Sequence, residues 1–278
     1  MSVVKKREKV TAHTIVRMKK RGEKIAVLTA YDYFTARLLD QAGIDILLVG
    51  DSAANVIHGH TSTLPIGLDV MISHTAAVAR GTEKALVVAD MPFMSFQPSV
   101  ETAIRSAGRF LAEGRAEAVK VEGGTEMVPT VRRLIECGIP VMAHIGLTPQ
   151  AIHRIGGPRV QGKTARSRSY LVESALALEE AGCFSMVLEL VASETAAEIT
   201  SKLKTMATIG IGAGPGCDGQ VLVINDILGL REPDFKPRFV REYADLAPII
   251  SDAARRFITD VRTGSYPSAD ESFDLGKK

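Results

Sequence analysis

The chain has 278 residues, 46% hydrophobic and 24% charged, with a formal charge of +2. This is enough apolar material for a large core, and the mild charge lacks the basic stripe of a nucleic-acid-binding protein. No apolar run approaches the ~18 residues of a membrane span, and MSVVKKREKVTAHT has no secretory apolar core, so no membrane association is expected.

The elements follow in chain order. TAHTIVRMKKRG predicts an extra N-terminal helix. The run IAVLTA (25–30) predicts a first strand, and DYFTARLLDQAG a helix with Phe34, Leu38 and Leu39 on one face, stopped by Gly43. DILLVG (45–50) and ALVVAD (85–90) read as strands two and three. In QPSVETAIRSAGRFLAEG, Pro98 and Ser99 mark a helix entry, and Val100, Ile104, Ala107 and Leu111 recur at helical spacing before Gly114. AEAVKVEGG (116–124), IPVMAHIG (139–146), CFSMVLEL (183–190), MATIGIGAG (206–214) and GQVLVIND (219–226) complete eight candidate strands. TEMVPTVRRLIECG and TARSRSYLVESALALEEAG read as further helices.

Continuous apolar character without alternation implies strands covered on both faces. Eight strand–helix alternations predict an α/β fold, a (β/α)8 TIM barrel, ahead of a doubly wound open sheet. The N-terminal helix is expected to close the bottom of the barrel. The helical stretch PRFVREYADLAPIISDAARRFITDVRTG is expected to supply its outer layer. The whole chain, 1–278, is expected to form one domain, with 264–278 a loose polar tail.

Cys137, Cys183 and Cys217 show neither disulfide nor zinc spacing, which suits a reducing cytoplasm. Cys137 and Cys183, each beside a glycine at a helix end, are expected to be small core residues. Lys5, Lys6, Arg7, Lys9 and RMKKRGEK are read as a solvated face. GIGAGPGCDGQVLVI contains one G-x-G-x-x-G match (Gly214, Gly216, Gly219), but it leads into a strand. A dinucleotide site needs a helix there, so a tight loop over the site mouth is expected instead.

Barrel active sites lie at the C-terminal strand ends. There the sequence places Asp51 and Ser52, Asp90, Lys120 and Glu122, His144 and Glu189. Taken singly, an aspartate after a strand is as readily a turn residue, and His144 as readily a satisfied core histidine. Lys120 and Glu122, two apart, point to the same side of a strand that has no solvent face. Glu189 lies in the apolar run MVLELV and is the hardest to explain as structure. Carboxylates converging at one barrel end would repel, and a hard divalent cation such as Mg2+ is the usual remedy. His58 and His60 form no zinc motif and are expected to be loop or site-mouth residues.

The segments VGDSAANVIHGHTSTLPI, ADMPFMSF, AVKVEGG, HIGLTPQ and IGIGAGPGCDGQVLVINDILGL, in unbroken order from about Thr11 to Tyr243, resemble the ketopantoate hydroxymethyltransferase family. The resemblance implies a barrel of the phosphoenolpyruvate/pyruvate type, a cytoplasmic homo-oligomer (usually a decamer), and the first step of pantothenate biosynthesis. It implies transfer of a hydroxymethyl group from 5,10-methylenetetrahydrofolate to 3-methyl-2-oxobutanoate. It further implies Asp51, Asp90 and Glu122 at a Mg2+ site, and Asp51, Ser52, Asp90, Lys120 and His144 around the oxo acid. Glu189 would be the proton acceptor. The family commonly reads Leu-Glu-Cys-Val-Pro around that base. This chain reads LELVASE, which leaves the following loop outside the resemblance. A metal-dependent lyase or mutase of a pyruvoyl-type acid, and a non-catalytic binding or assembly barrel, stay open as alternatives.

Overall fold

A computed structural model describes residues 8–231 and 236–273. The expected Lys5, Lys6 and Arg7 lie outside these residues. The elements run α1 (Ala12–Arg21), β1 (Ile25–Thr29), α2 (Tyr33–Ala42), β2 (Ile46–Val49), α3 (Ala53–Val56), α4 (Leu68–Gly81), β3 (Leu86–Asp90), α5 (Val100–Ala112), β4 (Ala118–Glu122) and α6 (Val128–Glu136). They continue β5 (Val141–Gly146), α7 (Ile152–Ile155), α8 (Ala165–Glu180), β6 (Ser185–Glu189), α9 (Ser193–Lys202), β7 (Ala207–Ile211), β8 (Gly219–Leu222), α10 (Ile224–Ile227) and α11 (Ala247–Thr263). Strands β1 to β8 pair in sequence order, all parallel, and β8 closes on β1. The predicted eight-stranded barrel is the fold.

Side chains alternate along each strand, so every second residue enters the barrel. At the bottom these are Ile25 and Val27, Ile46 and Leu48, Leu86 and Val88, Ala118, Met142, Val187, Ala207 and Ile209, one buried cluster. Val10 and Ile15 join the cluster, with Ala12, Val16 and Met18 packed against it. Helix α1 therefore plugs the lower end, as expected; Thr11 caps it through Thr14 N at 3.2 Å. Above that apolar layer the same inward rows turn polar: Asp90 pairs in register with Lys120, and Glu122 with His144.

Several packing faces differ from the sequence reading. On α2 the buried residues are Ala36 and Asp40, while Phe34 and Leu38 are 71% and 65% exposed. Small residues are needed there because α2 and α4 approach closely: a Cβ at Gly81 would fall 2.4 Å from Tyr33 O. Asp40 then accepts the Glu83, Lys84 and Ala85 N–H groups and ties α2 to the entry of β3. On α5, entered through the Ser99 cap, the buried stripe is Ala103, Ser106, Ala107 and Phe110. Ala107 was expected there; Ile104 and Leu111 flank the stripe instead. Cys183 is buried as expected, but Cys137 is exposed at the α6 terminus.

The glycine-rich segment does not lie over the mouth. It replaces a helix between β7 and β8 and returns along α9, where a Cβ at Gly214 would meet Ser193 Oγ and one at Gly216 would meet Ala197 Cβ. At its end Asp218 accepts from Thr208 N and pairs with Lys19 of α1, both at 2.8 Å. Glycine is required here because the crossover must hug a neighbouring helix.

The chain separates into two compact units, the barrel through Ile224 and a second from Asn225. In the second unit only the later part of the expected helical stretch forms a helix, α11, none of whose residues is buried; 237–246 are non-helical. Arg231 pairs with Glu242, and within the expected polar tail Ser268 caps a short, exposed 3-10 turn (Ala269–Glu271), while 274–278 lie outside the described residues.

Candidate active site

All six strand-end residues expected from sequence, with Ser52, belong to the C-terminal ends of β2 to β6. Asp51 follows β2 directly, with Gly50 before it: a Cβ at Gly50 would fall 2.8 Å from Ser52 Oγ. Ser52 Oγ lies 2.8 Å from Tyr31 OH. Asp90 ends β3, Lys120 and Glu122 lie on β4, His144 on β5, and Glu189 ends β6. Asp51, Asp90, Lys120, Glu122 and His144 are buried, whereas the Glu189 side chain is 19% exposed and sits at the rim.

Lys120 Nζ donates to both Asp90 oxygens at 2.6 Å and stands 3.9 Å from Glu122 Oε1. Asp51 N–H donates to Asp90 Oδ2 at 3.2 Å. His144 lies between two acids: Nδ1 is 3.3 Å from Glu122 Oε1 and Nε2 is 3.3 Å from Glu189 Oε2. These two contacts are poorly aligned as hydrogen bonds and act as ion-pair contacts. Burial and Lys120 oppose protonation of His144, but Glu122 and Glu189 outweigh them and carry its pKa up to about 9. Burial likewise works against the Lys120 ammonium, and the surrounding Asp90, Glu122 and Asp51 more than compensate. Burial raises Asp90 to about 6 against the pull of Lys120, and raises Asp51 with Glu122 adding to the effect.

One further uncharged residue of the site ends the segment HIGLTPQ but was not singled out in the sequence reading. Gln150, in a 3-10 turn after β5 (Pro149–Ala151), is buried. Its Nε2 donates to Asp51 Oδ2 at 3.1 Å and to Met91 O at 2.9 Å, its N–H donates to Glu122 Oε2 at 3.1 Å, and its Oε1 accepts from Gln97 Nε2. It thus links the acids of two strands, Asp51 after β2 and Glu122 on β4, to the backbone just after β3. The loop after Glu189 is pinned as well: Leu190 takes φ 44°, gives its N–H to Ile211 O and accepts from Gln161 N at 2.7 Å.

Four carboxylates face one ammonium and one imidazolium, leaving a formal charge of −2 in a largely buried cluster. That excess, with the raised Asp51 and Asp90, fits a divalent cation, and all-oxygen donors fit a hard one. Among the described residues no three His, Cys, Asp or Glu side chains form a ready cage; Lys120 engages both Asp90 oxygens.

The closed parallel barrel is an architecture shared with solved enzymes. A 2,3-dimethylmalate lyase of the PEP mutase/isocitrate lyase superfamily superposes with TM-score 0.60 at 17% identity, covering 97% of this chain and 92% of that one. Phosphonopyruvate hydrolase in complex with oxalate and Mg2+ superposes at 0.57 with 14% identity, covering 94% and 93%. These likenesses define the fold class. The sequence defines more: residues 9–269 match the model of the ketopantoate hydroxymethyltransferase family. The 3-methyl-2-oxobutanoate hydroxymethyltransferase of Trichlorobacter lovleyi is 54% identical over 267 residues, 96% of this chain and 99% of that protein. Those of Chlorobaculum tepidum and Syntrophus aciditrophicus are 53% and 52% identical, covering 95% and 98% of this chain and 96% and 100% of theirs. The chain belongs to the ketopantoate hydroxymethyltransferase family.

Proposed function

We propose that the chain transfers a hydroxymethyl group from 5,10-methylenetetrahydrofolate to 3-methyl-2-oxobutanoate, giving 2-dehydropantoate and tetrahydrofolate. The observation that carries the residue assignments is the position of Glu189. It is the most exposed acid of the cluster, set at the rim above buried, paired charges.

Asp51 and Asp90, with Glu122 behind them, would hold a divalent cation such as Mg2+. When bound, that cation supplies Lewis-acid polarisation of the oxo acid, which acidifies the adjacent C3–H. Glu189 takes the C3 proton as general base. His144, an imidazolium between Glu122 and Glu189, orients the base and lines the oxo-acid pocket. Lys120 holds Asp90 and adds fixed positive charge where the oxo acid's negative charge grows. Ser52, steadied by Tyr31, orients the substrate carboxylate. Water opens the folate methylene bridge, both carbon–nitrogen bonds breaking to give formaldehyde and tetrahydrofolate. The nucleophilic C3 then bonds to that carbon as its carbonyl π bond breaks, and the alkoxide oxygen takes up the proton carried by Glu189 to give the hydroxymethyl group.

The lyase or mutase alternative is supported only by fold-level likeness at 12–17% identity. A non-catalytic barrel has no use for this buried charge cluster. As part of the same proposal, 1–278 works as one functional domain in the cytoplasm, since relatives match nearly the whole chain and the cysteines are free. No helix among the described residues is long and apolar enough to cross a membrane. A homo-oligomer, a decamer by resemblance, would cover the exposed Phe34 and Leu38 of α2.

The deciding assay supplies Mg2+ and 3-methyl-2-oxobutanoate with or without methylenetetrahydrofolate. The proposal expects 2-dehydropantoate and tetrahydrofolate in equal amounts, and neither without folate. Cleavage of an oxo acid with no folate requirement would overturn it in favour of a lyase.

A further inference from the structure

The loop between α3 and α4 brings together two histidines that no spacing rule would pair. His58 Nε2 and His74 Nε2 are 3.0 Å apart, with their rings edge to face. His74 Nδ1 lies 2.7 Å from Tyr31 O, which can only accept, so Nδ1 carries the proton and Nε2 the lone pair. His58 therefore donates through Nε2–H. A ring whose Nδ1–H is fixed by a backbone carbonyl, with Nε2 presented outward, is the arrangement of a metal-ligating histidine.

We propose that His58 and His74 form a second cation site, selective for a borderline transition ion such as Zn2+, Ni2+ or Cu2+, outside the oxygen-lined cluster. Two ligands at about 2.1 Å from one ion lie about 3.0 Å apart at a right angle and about 3.4 Å apart at a tetrahedral angle. The observed 3.0 Å lies at the near end of that range. Binding needs one proton shift, from His58 Nε2 to its own Nδ1, and no net proton release. His58 is exposed, so water completes the coordination; the nearby ring of His60 stacks on His58 with centroids 6.2 Å apart. Imidazole pairs favour these ions over Mg2+, so the two sites sort metals by ligand type.

Tyr31 lies between this site and the substrate pocket. The carbonyl of Tyr31 holds His74, and the hydroxyl of Tyr31 contacts Ser52 beside Asp51.

The test uses the full-length protein with Mg2+ in excess and Cu2+ as the probe. Pulsed electron paramagnetic resonance counts the imidazoles on copper, and equilibrium dialysis measures affinity. Wild type should bind one Cu2+ with two imidazoles. His58→Gln and, separately, His74→Gln should each show one imidazole. Losing an outer-shell partner alone weakens metal binding about 10–100-fold, so either substitution should cost at least about tenfold. His58→Gln should keep its Mg2+-supported turnover, which marks it as folded. A wild-type protein without a two-imidazole signal, or a signal unchanged by His58→Gln, would overturn the proposal.

Discussion

Replacing Gln150 by Leu keeps similar volume but removes the side-chain amide, both its oxygen and its NH2. Its Nε2 bonds to Asp51 Oδ2 and Met91 O disappear, while the main-chain bond to Glu122 survives. Each buried acceptor left without a donor costs about 1–3 kcal/mol, so two set a range of about 2–6 kcal/mol. Gln97, the donor to Gln150 Oε1, is exposed and can turn to water, so its loss adds little. The lower half of the range is expected, because Asp51 also feels Lys120. The assay is urea unfolding at one fixed protein concentration, together with the Mg2+ concentration for half-maximal activity. We expect the midpoint to fall by an amount equivalent to about 2–4 kcal/mol, and the Mg2+ requirement to rise because Asp51 loses its orienting partner. A change below about 0.5 kcal/mol with an unchanged Mg2+ requirement would refute the reading of Gln150 as the hub joining the acids.

Gly146 has φ +99°, and a Cβ there would fall 2.3 Å from Glu189 O. Gly146→Ala should therefore destabilise by more than about 1 kcal/mol. Since a displacement of about 1 Å costs ~100-fold, it should lower turnover at least tenfold; wild-type kinetics would show that β6 tolerates the shift. In metal-free protein, the His144 ring should titrate near 9 by NMR, with its resonance assigned using His144→Gln. Its folded pKa is raised, so its stabilising contribution is complete below about 6.5 and is lost as pH rises through about 9. Titration at or below 6.5 would mean that Glu122 and Glu189 do not hold it. Asp90 is raised to about 6, so protons should compete with the cation below that pH. The Mg2+ concentration for half-maximal activity should climb between pH 7 and pH 5, and a flat profile would count against Asp90 as a ligand.

The barrel was legible because eight apolar runs, each covered on both faces, leave a strong pattern in the chain. The strand-end residues were legible for a related reason: charge in such a run has no solvent face to occupy, so Lys120, Glu122 and Glu189 stand out. Contacts made across the fold left no such trace. Gln150 is uncharged, and its role exists only because a turn after β5 reaches Asp51 on β2. Periodicity drew attention to the large residues of α2, yet the buried face is set by how closely α4 approaches through Gly81. The glycines before β8 were visible, but their purpose depends on α9. His58 could be seen beside His60, whereas its actual partner, His74, comes from the next helix.

The central claim is that Glu189 takes the C3 proton of the oxo acid. Incubate wild type and Glu189→Gln with Mg2+ and C3-deuterated 3-methyl-2-oxobutanoate in ordinary water, without folate, and follow loss of the label by NMR. The account predicts rapid washout by wild type and at least a ~100-fold slower rate in Glu189→Gln, with oxo-acid binding largely intact. Washout at the wild-type rate in Glu189→Gln would contradict it.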